Sequence, residues 1–318
     1  MLIGAEDLVV VDASTAEVVR DPFARCRRSV LIDVAGETCA VHFDDGDAAT
    51  CFASRYADLT VRDAVPARHA FAMRDRARGW LFWSPGGFAY RWPHGDLAAG
   101  VVAFLADAVA LTAFFQQRED GIISLHAATV GLAAGVAAIV GDSNVGKTTT
   151  AVACARAGMD FYSDERCLID RQSRIHPFPR AINVRAAGLR LLVSDMVSGA
   201  DPIGARLRAQ GAGDWNDVRI SDLVPAQPTL EPRPLRAVFV LAGAGAEPAL
   251  EPAPPSHAAR ASARWAQGAG AGLDKLARLL GVFASVHCYR LRLGTPDASA
   301  RLIRTIVEAG ACDLDRSA

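Results

Sequence analysis

Apolar positions along the first 95 residues come in short runs or in alternation, broken every few positions by Gly, Asp or Pro. "SVLIDVAG" (29–36), "CAVHF" (39–43) and "GWLFWSPGGFAYRW" (79–92) follow the two-residue period of strands, with a hairpin expected about Pro85-Gly86-Gly87. A small β-rich domain over 1–95 is the expectation. The next stretch, "LAAGVVAFLADAVALTAFFQ" (97–116), is apolar on every side. It has nearly the length of a membrane span. Asp107 sits near its centre, however, at an insertion cost of roughly 2.5–3.5 kcal/mol, which the alanines do little to offset. It reads as a buried helix forming a connection over 96–120, started by Gly95-Asp96 and stopped by Gly121.

From residue 121 the pattern changes. "ISLHAATVGL" (123–132), "GVAAIVG" (135–141), "FYSDERCLID" (161–170) and "LRAVFVLAG" (235–243) read as strands. "KTTTAVACARAG" (147–158) reads as a helix, with Gly158 just past its end. Strands alternating with helices point to an α/β domain over 121–318, built on a mixed sheet. Proline-rich stretches at 225–234 and 247–256 read as surface connections. "RWAQGAGAGLDKLARLLGVFASVH" (264–287) is helical with a glycine-rich break, and "PDASARLIRTIVEAG" (296–310) is a final amphipathic helix.

Composition narrows the function classes. The 318 residues are 51% hydrophobic, enough for a sizeable core, and the formal net charge of -1 gives no polyelectrolyte signature. No nucleic-acid or membrane partner is expected. Seven scattered cysteines without a C-x-x-C pair argue against a zinc site or disulfide framework. The acidic start "MLIGAEDLVVVDAS" lacks the pattern of an export signal, so a cytoplasmic location is expected. His42, His69 and His94 lack ligand spacing and read as ordinary core or surface histidines.

The chemistry concentrates at "IVGDSNVGKTTTAVACARAG" (139–158). Lys147 is one of two lysines among 34 basic residues, in a chain that otherwise writes positive charge as arginine. Gly141-Asp142-Ser143-Asn144-Val145-Gly146-Lys147-Thr148 fits G-x-x-x-x-G-K-[ST], follows an apolar strand and opens a helix. In such a loop successive backbone amides, backed by the helix dipole, cradle phosphates. Lys147 would reach the outer phosphates as a compact point charge, Thr148 would ligate Mg²⁺, and Thr149 follows within reach. A planar guanidinium would not serve there.

Seventeen and eighteen residues on from Lys147, Asp164 and Glu165 leave a short apolar run. Two acids beside a magnesium nucleotide can divide the work, one serving the metal and one accepting a hydroxyl proton. Which does which is open at this level, and an exposed charged turn is the competing reading. His126, just before the strand that leads into the loop, is a candidate for phosphate contact or proton transfer, against a structural core histidine.

The order "LHAATVGL...VGDSNVGKTTTA...AGMDFYSDE" resembles the HPr kinase/phosphorylase superfamily, whose catalytic domain is related to phosphoenolpyruvate carboxykinase. The resemblance covers about 120–175 and extends less closely to "PFPRAINVRAAGLRLL" and "RPLRAVFVLAG". It is strongest to the shorter relatives that phosphorylate a serine of a ribosomally made precursor peptide, such as a lasso peptide. It implies catalytic roles for His126, Lys147, Asp164 and Glu165, and metal contacts for Thr148, Asp164 and Glu165. Arg180 and Arg185 become candidates for nucleotide or acceptor phosphate. "INVRAAG" lacks the acid of the bifunctional family's "E-[IL]-R-G-x-G" element, so neither phosphorolysis nor recognition of HPr is implied. The function so implied is an ATP- and Mg²⁺-dependent kinase acting on a Ser or Thr of a peptide or small protein. A kinase of a free small molecule and a non-catalytic nucleotide-dependent binding module are the alternatives. The family's habit of oligomerising makes an oligomer possible.

Overall fold

The alternating apolar runs of the N-terminal third pair into one sheet. Its strands are β1 (Val9–Val10), β2 (Arg28–Val34), β3 (Glu37–Phe43), β4 (Arg68–Asp75), β5 (Gly79–Ser84) and β6 (Phe88–Trp92). They lie in the order β1-β6-β5-β4-β3-β2, antiparallel except for β3 and β4. The computed structural model describes residues 9–10, 21–75, 79–85, 88–93, 96–184, 216–224, 231–264, 266–268 and 272–314. Helix α1 (Pro22–Arg25) precedes β2, and α2 (Gly46–Arg55) makes the crossover between the parallel strands. Ala35 and Gly36 turn β2 into β3 with φ of 55° and 81°, the doubly left-handed turn whose twist suits a two-residue hairpin.

Helix α3 (Ala99–Gln117) packs against α2, β4 and β5. The chain divides into Met1–Arg118 and Glu119–Ala318, so this helix, expected as a connection, is part of the first unit's core. Among the described residues it is the one helix long and apolar enough to cross a membrane. Asp107 is buried, accepts a hydrogen bond from Arg55 Nη1 at 3.2 Å, and also accepts one from the Tyr56 hydroxyl. The charge that speaks against a span in the sequence thus has its partners inside the unit.

The same unit brings together two histidines that sequence spacing leaves apart. Parallel pairing of β3 with β4 sets His42 Nε2 at 2.9 Å from His69 Nδ1, and Ser29 Oγ lies 2.7 Å from His42 Nδ1. His94 lies outside the described residues.

In the second unit β7 (Ile123–Leu132), β8 (Gly135–Val140), β9 (Asp160–Ser163), β10 (Arg166–Ile169), β11 (Arg174–His176), β14 (Arg233–Ala244), β15 (Ala249–Pro252) and β16 (His287–Leu293) form one mixed sheet. Its order is β11-β10-β7-β8-β14-β16-β15, with β9 also on β7, and β11 pairs additionally with the start of β14. β8, β14 and β16 run parallel. A separate ribbon joins β12 (Ile182–Val184) to β13 (Asn216–Val218).

Both faces of the large sheet are covered, which is why β7 and β8 read as nearly unbroken apolar runs. On one face Ala128, Val130, Ile139 and Phe239 pack with α4 (Lys147–Arg156) and with α7 (Pro296–Leu314), the latter through Ala300, Ile303 and Val307. On the other, Leu125, Ala138, Val140 and Val238 meet α5 (Pro255–Ala263) and α6 (Gly272–Ala284) through Ala258, Leu279 and Phe283. The result is a three-layer α/β unit.

Candidate functional site

β8 ends at Val140, on the carboxyl edge of the parallel strands, and the chain turns through residues 141–146 into α4. Crevices beyond that edge are where open α/β sheets bind ligands. Two glycines are required by the turn. A Cβ on Gly141 would stand 2.8 Å from Val145 Cγ2 and 3.2 Å from Leu241 Cβ. Gly146 caps α4 with φ of 108°, and a Cβ there would meet Leu293 Cδ1 at 2.9 Å. Asn144 is also left-handed, with φ of 68°, a conformation asparagine tolerates better than most residues. Asp142, Ser143 and Asn144 are exposed, while Val145, Thr148 and Thr149 are half-buried. The N-cap residue, Gly146, makes no side-chain capping bond to α4, which leaves that role at the helix's first amides to another acceptor.

Lys147 is buried and lies back across the turn, its Nζ donating to Gly141 O and Asp142 O at 2.8 Å each. Burial lowers its pKa, while the charges of Asp142 and Asp164 act the other way. The two carbonyls occupy donors that a phosphate oxygen would otherwise take.

The acid pair owes its position to a gap in a strand. β9 pairs with β7 as far as Ser163 opposite Thr129, and β10 resumes with Arg166 opposite His126. β9 and β10 are therefore successive parts of one run along β7, interrupted at Asp164 and Glu165. Ser163 holds the interruption: its buried Oγ accepts from Glu165 N at 3.2 Å and from Arg166 N at 2.9 Å. A Ser two or three residues before its backbone donors is a local turn signal.

The two acids diverge. Asp164 is buried and reaches toward the start of α4, where Thr148 Oγ1 donates to its Oδ2 at 3.4 Å. Glu165 meets His126 and Arg180. Its Oε1 lies 3.8 Å from His126 Nδ1, and its Oε2 is ion-paired with Arg180, which is itself buried. Arg180 arrives there because the segment before β12 runs along β9, Phe178 N donating to Tyr162 O at 2.8 Å. Arg185 lies outside the described residues.

His126 is held neutral. Burial first, then the charges of Lys147, Arg166 and Arg180, lowers its pKa from 6.5 to about 4. Arg166 and Gln267 are the members of this cluster that sequence reasoning passes over. Arg166 Nη1 donates to Gln267 Oε1 and, at 3.5 Å, to Ser124 Oγ. Ser124 and His126 are two apart on β7 and so share a face. The only sequence signal for Arg166 is its place directly after the acid pair, and Gln267 has none.

The geometry thus gathers His126, Lys147, Thr148, Asp164, Glu165 and Arg180 around the 141–146 turn. Thr148 and Asp164 offer a hydroxyl and a carboxylate, the hard oxygens that suit Mg²⁺. Among the described residues there is no group of three or more His, Cys, Asp or Glu side chains that would cage a metal. That donor set fits an ion that takes its remaining ligands from phosphate and water.

No family model matches the chain, and no curated protein matches it. Among solved structures, the HPr(Ser) kinase/phosphatase from Coxiella burnetii aligns with 60% of this chain and 98% of its own, at 11% identity and a TM-score of 0.27. A superposition that loose decides nothing about chemistry, which rests here on the residues themselves.

Proposed function

We propose that the chain is a kinase that uses ATP and Mg²⁺ to phosphorylate a Ser or Thr hydroxyl of a peptide or small protein. The observation that carries this reading is the divergence of the acid pair. Asp164 turns to Thr148 at the glycine turn, while Glu165 turns to His126 and Arg180. In this reading Asp164 serves the nucleotide and Glu165 the acceptor.

In this reading the 141–146 turn is a phosphate-binding loop. Its amides and the start of α4 hold the phosphate chain, and Lys147 exchanges Gly141 O and Asp142 O for outer phosphate oxygens. Thr148 and Asp164 hold the metal, which when bound neutralises charge on the phosphate oxygens. Glu165 accepts the hydroxyl proton. The acceptor oxygen forms its bond to the γ-phosphorus as the bond to the β,γ-bridging oxygen breaks, and that oxygen leaves with its electron pair on ADP. His126, uncharged at neutral pH, lies beside Glu165 without repelling the approaching hydroxyl's donor.

The test is mass spectrometry of small peptides and proteins encoded beside this gene, incubated with ATP, Mg²⁺ and either wild type or Lys147→Ala. The expected result is one added phosphate on a Ser or Thr with wild type and none with the variant. The division of labour is separable from it. Asp164→Asn raises the Mg²⁺ concentration needed for nucleotide binding, whereas Glu165→Gln keeps nucleotide affinity and loses transfer. Bound nucleotide with no acceptor modified by any variant would sink the kinase reading in favour of a binding module.

A further inference from the structure

We infer that Ser29, His42 and His69 form a serine nucleophile site within Met1–Arg118 that takes activated acyl esters, an activity independent of the kinase reading. Its side chains lie on one face of the first sheet. Ser29 pairs with His42 across β2 and β3, and His42 pairs with Phe71 on β4, where His69 is two residues away. Phe43, the neighbour of His42, points to the other face and meets Phe52 of α2, with ring centroids 5.4 Å apart. α2 thus covers one side of the sheet, and the serine and histidines occupy the other.

The three groups are linked end to end. Ser29, exposed on the edge strand β2, has its Oγ 2.7 Å from Nδ1 of the buried His42, whose Nε2 is 2.9 Å from His69 Nδ1. The two ring planes differ by 20° with centroids 5.2 Å apart, so the contact runs along the rings, where N–H and lone pair point. A neutral imidazole has one donor and one acceptor. When Ser29 donates to Nδ1 of His42, Nε2 carries the proton and donates to His69, which fixes the ring that meets the hydroxyl. Nucleophile, base and orienting group are recognised by such roles rather than by sequence position. Burial first, then His69, lowers the pKa of His42 to about 4, leaving it uncharged at neutral pH with a lone pair for the hydroxyl proton.

In the reaction Ser29 Oγ forms a bond to the acyl carbon and its proton passes to His42 Nδ1. The tetrahedral adduct collapses as the leaving oxygen or sulfur departs with its electron pair and takes that proton. Water then repeats the sequence at the acyl-serine and releases the carboxylic acid. A base as weak as His42 is a correspondingly strong acid toward the leaving group, and it serves acyl groups that are already activated. The oxyanion has a donor at hand. Asp33 N donates to Leu59 O and Leu31 O accepts from Val61 N, so these two residues turn their backbone groups away from β3. By the two-residue alternation Ser29 turns its N–H the same way. Phe23, 55% exposed, stands edge-on to both imidazoles, with centroids 5.2 and 5.3 Å away, and offers an apolar wall for the acyl chain.

The experiment incubates the full chain with a fluorophosphonate, which serine nucleophiles attack with loss of fluoride, and maps the adduct by peptide mass spectrometry. An adduct on Ser29 is expected, and none at that position in Ser29→Ala. His42→Gln keeps a donor toward His69 but loses the base, and should slow labelling by about a hundredfold or more. His69 is a positioning residue. His69→Asn keeps an acceptor for His42 Nε2 and should label much faster than His69→Leu, which only fills space. Thermal melts report that each variant is folded, and if His42→Gln does not fold, the two His69 variants decide. Hydrolysis of p-nitrophenyl butyrate above the Ser29→Ala background is expected in parallel. The inference is overturned by the absence of an adduct on Ser29, by equal labelling of wild type and folded His42→Gln, by equal labelling of the two His69 variants, or by no hydrolysis above background.

Discussion

Histidine burial gives the residue scale its clearest consequence. An unfolded histidine takes up its proton near pH 6.5, whereas burial delays His42 and His126 to about 4. Between those values the unfolded chain binds more protons than the folded one, so stability is present above pH 6.5 and is lost as the pH falls toward 4. Urea midpoints measured across that window should fall with pH, and His42→Asn should flatten part of the slope. An unchanged slope would show that His42 does not titrate as its burial dictates. Gly146 is a second residue-scale case. Its φ of 108° strains any residue that carries a Cβ, and a Cβ there would stand 2.9 Å from Leu293 Cδ1, which would have to shift. Gly146→Ala should cost on the order of 1–3 kcal/mol and weaken nucleotide binding, read by denaturant melts and ADP titration.

Elements are held by polar groups that their own sequence pattern does not explain. Helix α3 is apolar enough to suggest a span, yet its Asp107 is fastened to Arg55 of α2 and to Tyr56. Removing one partner of a buried ion pair leaves the other charge uncompensated, so Asp107→Ala should destabilise the first unit by about 3–5 kcal/mol. Conversion of both Asp107 and Arg55 to apolar residues should cost less than Asp107→Ala alone, and a double-mutant melt series decides it. The interruption between β9 and β10 depends likewise on Ser163. Ser163→Ala strands the amides of Glu165 and Arg166, at roughly 1–3 kcal/mol. If Ser163 positions the acids, acceptor phosphorylation should fall more than ADP affinity does.

At the scale of the whole molecule, every side chain gathered at the candidate site belongs to Glu119–Ala318. A fragment spanning 119–318 should therefore bind ADP with an affinity near that of the full chain, as calorimetry would show. Loss of binding in a folded fragment would mean that the loop alone does not account for nucleotide affinity.

What the sequence by itself determined was local. The glycine turn between an apolar strand and a helix, with Lys147 and Thr148 at the helix start, is written in consecutive residues. So are the acid pair with its preceding Ser163 and the two-residue period of the N-terminal strands, because backbone geometry repeats over a few positions. Only the tertiary structure decided which acid faces which partner. Thr148 meets Asp164 across 16 residues, Arg180 is brought to Glu165 by a segment lying along β9, and Gln267 reaches Arg166 from 101 residues away. The pairing of His42 with His69 through parallel strands is of the same kind. Such contacts follow from strand register and from which edge a returning segment covers, and neither leaves a periodic trace in the residues that make them.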